Sequence, residues 1–172
     1  MAINTARRVA RAAVTEVWPA QAHDAADVTR LLIAFRDWLE SDVPPDEAFA
    51  ASVARLIAEP ATEFLLGSID SNAPPCGVCQ LRFRHSVWTN SPDCWLEDLF
   101  IEEHARGQGV GGALVVAAFE RADARGARRI ELDTNEHNHG AIALYESLGF
   151  SSTSKAHGSL TGRDLFMGRR LR

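Results

Sequence analysis

The segment Arg-Gly-Gln-Gly-Val-Gly-Gly, residues 106–112, joins an apolar strand-like run at 96–101 to an alanine- and valine-rich helical run at 113–124. Its glycines remove the Cβ atoms that would keep a ligand away from the backbone. The first amides of the following helix have no partner inside the helix, and the positive end of its dipole attracts anions. The segment therefore predicts a phosphate or pyrophosphate site between a strand and a helix.

Three nucleotide-binding templates compete for this segment. A P-loop ends in Gly-Lys-Ser/Thr, whereas here Gly111 is followed by another glycine and an alanine, which excludes that template. The dinucleotide fingerprint Gly-x-Gly-x-x-Gly matches within residues 107–112, with Glu131 or Asp133 as its acidic residue. However, the preceding strand carries two carboxylates at 97–98, where a strand buried in a parallel sheet is continuously apolar. The dinucleotide interpretation is therefore disfavoured.

The third template, Arg/Gln-x-x-Gly-x-Gly/Ala, is satisfied by Arg106, Gly109 and Gly111. Downstream, residues 138–150 read Asn-His-Gly-Ala-Ile-Ala-Leu-Tyr-Glu-Ser-Leu-Gly-Phe, and upstream, residues 96–101 read Leu-Glu-Asp-Leu-Phe-Ile. With these motifs in this order, the chain resembles the GNAT superfamily of acetyl-CoA-dependent N-acetyltransferases. The adjacent Glu and Asp of the upstream motif resemble the polyamine/diamine acetyltransferase branch of that family.

The resemblance implies an α/β (α+β) fold with a mixed, mostly antiparallel central sheet, splayed between its two central strands and flanked by helices. Hydrophobic periodicity and turn residues predict the order β-α-α-β-β-β-α-β-α-β-β. The predicted strands are 14–18, 62–69, 77–87, 95–101, 128–134, 150–154 and 164–171, and the predicted helices are 24–39, 46–58, 109–125 and 138–148. We expect residues 1–12 to be a flexible tail and residues 13–172 to be a single domain.

Composition narrows the class of protein. The 172 residues are 46% hydrophobic and 24% charged, as in globular proteins and unlike a mostly disordered chain. A net charge of -5 argues against a nucleic-acid partner, and the absence of a long apolar run argues against a membrane span. Three cysteines, an odd number, favour a reducing cytoplasm. No metal site is predicted, because Cys76 and Cys79 are expected to point to opposite faces of a strand.

The resemblance implies acetyl-CoA as cosubstrate. Amides of residues 107–112, with Arg106 beside them, would hold its pyrophosphate, and the backbone of residues 99–101 would pair with the pantetheine arm like an added strand. The N–H of Phe100 or Ile101 would contact the thioester oxygen. Asn138 would bond pantetheine or cap its own helix. The predicted cofactor-binding residues are Leu99, Phe100, Ile101, Arg106, Gly107, Gln108, Gly109, Val110, Gly111, Gly112, Asn138, Ala141 and Tyr145.

Three residues are the catalytic candidates. Tyr145, the only tyrosine, stands where the family motif has its tyrosine and could protonate the leaving thiolate, although it could also be a core aromatic. Alternation along a strand sends Glu97 and Asp98 to opposite faces unless a bulge intervenes. The resemblance favours Glu97 as base or water relay and leaves Asp98 as a cation-binding alternative. A surface ion pair is the other interpretation of each carboxylate.

These expectations predict an enzyme that transfers an acetyl group from acetyl-CoA to a primary amine of a small molecule, by direct attack in a ternary complex. Acetylation of a protein or peptide, an amino acid or an aminoglycoside stays open, because the motifs do not distinguish acceptors. A non-catalytic acyl-CoA-binding regulatory module is a third possibility. The resemblance also implies a homodimer.

Overall fold

The computed structural model of the protein describes residues 15–151, in which five strands form one sheet in the order β1-β2-β3-β4-β5. The strands are β1 (Glu16–Pro19), β2 (Thr62–Ser68), β3 (Gly77–Ser86), β4 (Ser91–Ile101) and β5 (Ile130–Glu131). The α-helices are α1 (Ala25–Trp38), α2 (Asp46–Ile57), α3 (Val110–Ala124) and α4 (His139–Ser147). This order confirms the predicted one as far as α4. The predicted tail and the last two predicted strands lie wholly or largely outside the described residues.

The sheet is covered by two separate apolar clusters. On one face, which we call the α3 side, Leu65 of β2 packs in a cluster with Leu114 of α3. On the other face, the α1/α2 side, Phe64 and Leu66 of β2 pack in a cluster with Val28 of α1. Both faces of β2 are therefore buried, which explains why this strand is apolar at successive positions rather than at alternate ones.

The β3–β4 hairpin is longer than the sequence indicates. β3 pairs antiparallel with β4 as far as Ser86 opposite Ser91, so β4 begins before the predicted start at Trp95. This part of the strand contains polar residues, so the hydrophobic pattern of the sequence does not indicate a strand there. Asp93, one of them, is buried and accepts a hydrogen bond from Arg129 Nη2 at 2.6 Å. A charge-assisted pair thus offsets the cost of burying the carboxylate.

The sheet opens between β4 and β5. These strands are parallel and meet at two residue pairs, Cys94 with Ile130 and Trp95 with Glu131. The predicted strand at 128–134 is therefore too long, because the chain leaves β4 after Glu131. Beyond Trp95, the described residues place no strand beside this edge of β4. The structure thus confirms a splayed sheet and places the splay between β4 and β5.

All three cysteines are free and buried, and all belong to the apolar cluster on the α3 side. The expectation that Cys76 and Cys79 point to opposite faces is wrong, because Cys76 precedes β3 and strand alternation does not apply to it. Within residues 15–151, no helix is long and apolar enough to cross a membrane. The same residues include no group of three His, Cys, Asp or Glu side chains arranged to hold a metal ion.

Candidate active site

The glycine segment forms the entry to α3. Gly109, with φ of 90°, is the left-handed residue that immediately precedes the helix, and Gly107 has φ of 73°. The amide of Ala113 donates to the carbonyl of Gly109 at 3.0 Å. The amides of α3 before Ala113 therefore have no hydrogen-bond partner within the helix. A Cβ atom at Gly107 would meet nothing within 4 Å, so the backbone there is accessible. The segment has the geometry of an anion site.

The glycines inside the first turn of α3 face α4 and the end of β4. A Cβ atom on Gly111 would lie 3.4 Å from Leu144 Cδ2 and 3.6 Å from Ile101 Cγ1. A Cβ atom on Gly112 would lie 3.9 Å from Leu144 Cδ1. A Cβ atom at either position would therefore make ordinary van der Waals contact with α4 or the end of β4.

Arg106 contacts the end of β4 and two aromatic rings. Its Nε donates to the carbonyl of Ile101 at 3.0 Å, and its guanidinium lies 5.3 Å from the ring centroid of Trp38 and 6.0 Å from that of Phe100. The side chain thus connects the end of β4 to the end of α1. Gln108 donates to the carbonyl of His104 at 2.7 Å, which bonds the glycine segment to the turn before it.

The open edge of β4 carries backbone groups that are not paired with another strand of the described residues. The amide of Glu102 donates to the carbonyl of Cys76 at 2.9 Å, on the β3 side. Because backbone groups of successive residues alternate between the two edges of a strand, those of Phe100 also face β3, and those of Leu99 and Ile101 face the splay. The Phe100 amide is therefore turned away from the position expected for it, and the Phe100 ring packs 5.3 Å from Phe35.

A β-bulge lies at the candidate carboxylates. Leu81 pairs with Leu96, whereas Gln80 pairs with Asp98, so Glu97 is the extra residue of β4. The extra residue breaks strict alternation. The bulge that the sequence analysis named as the exception to opposite faces is thus present, with the Glu97 side chain bonded to Gln80 and the Asp98 backbone paired with Gln80.

Glu97 and Asp98 differ in their surroundings. Glu97 is exposed, accepts a hydrogen bond from Gln80 Nε2 at 3.0 Å and lies 4.0 Å from Arg82 Nη1. Asp98 is half-buried, and burial, followed by the charges of Glu97 and Asp133, raises its pKa from 3.8 to about 6. A carboxylate with a pKa near neutrality is better matched to proton abstraction than an ordinary one.

Helix α4 and its N-cap carry two further predicted site residues, Asn138 and Tyr145. Asn138 caps this helix, since its side chain accepts from the amide of Ala141 at 3.3 Å. Tyr145 is 8% exposed, and its ring meets that of Phe150 edge-on at 5.6 Å. Burial, with contributions from Cys79 and Asp133, raises the pKa of Tyr145 to about 12. The phenol is therefore protonated at neutral pH, although the raised pKa makes it a weaker acid than an ordinary tyrosine.

Asp133 is a site residue that the sequence did not single out for this chemistry. Its charge contributes to the raised pKa of both Asp98 and Tyr145, after burial and one other group in each case. A carboxylate just beyond the carboxyl end of a strand was the available signal, because ligand sites gather there in open sheets. Asp133 thus interacts electrostatically with both Asp98 and Tyr145.

The raised pKa of Asp98 makes a testable contribution to stability. Since the folded state disfavours the charged form, wild-type stability is expected to fall, relative to Asp98→Asn, as the pH rises from about 4 to about 6. Urea unfolding at pH 4 and pH 7.5 would measure this difference, with the exposed Asp42→Asn as control. A wild type that gains stability over Asp98→Asn in this pH range would contradict the burial of Asp98.

Comparison with known proteins gives consistent matches. The Acetyltransferase (GNAT) family profile matches residues 26–150. The uncharacterized N-acetyltransferase YhfO of Bacillus subtilis (strain 168) is 34% identical over 133 residues, which cover 76% of this chain and 86% of that protein. The thialysine N-epsilon-acetyltransferase of Sus scrofa is 32% identical over 89 residues, which cover 49% of this chain and 52% of that protein. The latter match therefore spans about half of each protein.

Solved structures share the architecture. A crystal structure from Arthrobacter sp. FB24, assigned as an acetyltransferase, is 28% identical with a TM-score of 0.79 and covers 94% of this chain and 99% of that one. The aminoglycoside N-acetyltransferase AAC(6')-Iy, determined in complex with CoA, is 18% identical with a TM-score of 0.72 and covers 89% of this chain and 98% of that one. At this identity, the second likeness concerns the fold alone.

Proposed function

Because the chain belongs to the acetyltransferase (GNAT) family and is an acyltransferase, we propose that it transfers an acetyl group from acetyl-CoA to a primary amine of a small molecule. The observation that carries this proposal is Asp98 at the bulge, with its pKa raised to about 6, beside an open strand edge. The amine would attack the thioester directly in a ternary complex.

The proposed acetyl-CoA site consists of backbone groups at the start of α3 and along the open edge of β4. Amides at the start of α3 would hold the pyrophosphate, because they have no partner within the helix and the space beside Gly107, just before them, is open. The backbone groups of Leu99 and Ile101 would pair with pantetheine along the splayed edge, in the manner of strand addition. An amide of the same edge would donate to the thioester oxygen as the carbonyl gains charge. The Ile101 carbonyl already accepts from Arg106 Nε, so pantetheine would compete with or share that contact.

We propose Asp98, rather than Glu97, as the base. An alkyl ammonium has a pKa near 10, about 6 units above that of an ordinary carboxylate, and this gap opposes proton transfer. A pKa near 6 for Asp98 narrows it by about 2 units. Glu97 is exposed and engaged by Gln80. Glu97 would instead add negative charge that attracts the cationic acceptor.

Tyr145 is the proposed acid for the leaving thiolate, and Tyr145→Phe tests it. We expect kcat to fall about 100-fold, because general acids contribute 10²–10⁴-fold, while acetyl-CoA binding persists. The melting temperature should change little, since the ring contact with Phe150 remains. Phe150→Leu is the matched control, which removes the ring contact but no hydroxyl. Unchanged kcat in Tyr145→Phe would leave Tyr145 as a core aromatic.

The acceptor is proposed to be a small cationic amine, with diamines and polyamines as the first candidates. Glu97 and Asp98 supply negative charge at the bulge, and Asp133 lies near enough to raise the pKa of Asp98. Opposite charge favours a multiply charged amine. The relative named thialysine N-epsilon-acetyltransferase also takes, by its name, an amine at the end of a side chain. Cytoplasmic location, the homodimer and the single domain at 13–172 remain predictions.

A panel of acceptors tests the proposed function. Thiol release from acetyl-CoA would be followed with diamines, polyamines, thialysine, lysine, aminoglycosides and a peptide with a free N-terminus, using Asp98→Asn to measure background hydrolysis. We expect the highest kcat/KM for a diamine or polyamine and intersecting initial-velocity lines, as a ternary complex requires. A preference for the peptide would overturn the small-molecule acceptor. Parallel lines would instead indicate an acetyl-enzyme.

A further inference from the structure

Gln80 is a buried amide opposite the bulge. It lies on β3 and is 5% exposed, with Phe64 of β2 as its paired neighbour on the other side. Phe64 belongs to the apolar cluster on the α1/α2 side, so Gln80 shares the face of that cluster. Burying an amide there is unfavourable unless it is hydrogen-bonded. The hydrogen-bond partner of the Gln80 side chain therefore determines whether burial of this amide is unfavourable.

The amide of Gln80 bonds the residue that the bulge displaces. Its Nε2 donates to Glu97 Oε2 at 3.0 Å, while its backbone pairs with Asp98. The Glu97 side chain is 44% exposed, and Arg82 Nη1 lies 4.0 Å from Glu97 Oε2. The bond from Gln80 is thus the shorter of the two polar contacts described for the Glu97 carboxylate. Without it, the Glu97 carboxylate is free to move toward Arg82 and solvent.

We infer that Gln80 is a positioning residue, whose buried amide holds the Glu97 carboxylate beside Asp98 so that the acid–base state of Asp98 depends on Gln80. This inference rests on the proposed function, in which Asp98 is the base. The titratable groups that interact electrostatically with Asp98 are Glu97 on β4, Cys79 on β3 and Asp133 after β5, and Arg82 on β3 lies 4.0 Å from Glu97. Among these groups, Glu97 is the one that accepts a hydrogen bond from Gln80.

The test is the pH dependence of Asp98 in Gln80→Met, which keeps the side-chain length without the amide. Once Glu97 is released, its repulsion of the Asp98 charge weakens, so the acidic midpoint of kcat/KM should fall by about half a pH unit or more. Gln80→Asn, which retracts the amide, should act in the same direction and serves if the Met variant does not fold. A midpoint within about 0.2 units of wild type, with only a lower melting temperature, would overturn the inference.

Two controls separate positioning from packing. In a Glu97→Gln background, Gln80→Met should cause no further shift of the midpoint, because the charge it positions is absent. Ser68→Ala removes another buried hydrogen bond, from Ser68 Oγ to the Asp70 carbonyl at 2.7 Å, and should lower the melting temperature without moving the midpoint. A further shift in the Glu97→Gln background would contradict the role assigned to Gln80.

The inference can be tested separately from the proposed function. Titration of the Asp98 carboxyl carbon by ¹³C NMR, assigned by its loss in Asp98→Asn, needs neither acetyl-CoA nor an amine. If wild type acetylates no amine, the proposed function fails, and the NMR midpoint in Gln80→Met still decides the role of Gln80. If wild type is active and the NMR midpoint is unmoved, Gln80 has no such role.

Discussion

Asp98→Asn is expected to lower kcat/KM at pH 7.5 by about 10³-fold, within the range attributed to general bases. Asparagine is close to aspartate in size and accepts hydrogen bonds but cannot take a proton. The acidic limb of the wild-type pH profile should have its midpoint near the Asp98 pKa of about 6, with kcat/KM rising as the carboxyl ionises. That limb should be absent from Asp98→Asn. Initial rates from pH 5 to pH 9 at fixed ionic strength would measure both effects.

Glu97→Gln is the matched control for Asp98→Asn. It removes a carboxylate at the neighbouring position and keeps an acceptor for Gln80 Nε2. We expect a loss of kcat/KM of about tenfold or less, mainly through a higher KM for a cationic amine, because the lost charge is exposed. The acidic limb should persist and move to lower pH. If Glu97→Gln abolishes the limb and Asp98→Asn does not, Glu97 is the base, as the sequence favoured.

The features that could be predicted from the sequence depend on local chemistry. Gly109 has a positive φ and stands directly before an apolar helix, so a glycine there is what the backbone conformation requires. Helices α1 and α2 repeat apolar residues at helical spacing and end before prolines or short loops. Asn138 occupies an N-cap position favoured by its own side chain. Each of these signals lies within a few residues of the feature it specifies.

The features that could not be predicted depend on partners distant in sequence. The bulge at Glu97 exists because β4 pairs with β3 in two registers, and a single strand carries no sign of this shift. β4 begins at Ser91 because β3 pairs with it and Arg129 bonds Asp93. The direction of the Arg106 side chain depends on Trp38, at the end of α1. Knowledge of the sheet register was needed to choose between Glu97 and Asp98.

Gly109→Asp is expected to weaken acetyl-CoA binding at least about 100-fold, measured by calorimetry. At φ of 90°, aspartate is among the less strained replacements for glycine, so the fold should survive. Its carboxylate would stand at the start of α3, where the proposed pyrophosphate approaches, and would repel it. The same charge lies near the helix N-terminus, where it competes for the amides that the phosphates would use. Turnover should fall with binding, mainly through a higher KM for acetyl-CoA.

Gly126→Asp is the control because it imposes the same chemistry at the opposite end of α3. Gly126 has φ of 71°, and a Cβ atom there would meet nothing within 4 Å. Backbone strain and added charge are thus nearly matched, whereas the distance from the proposed pyrophosphate site is the length of the helix. Acetyl-CoA binding should be unchanged in Gly126→Asp even if its melting temperature falls. Equal losses in both variants would attribute the effect to destabilised α3, and unchanged binding in Gly109→Asp would move the pyrophosphate away from these amides.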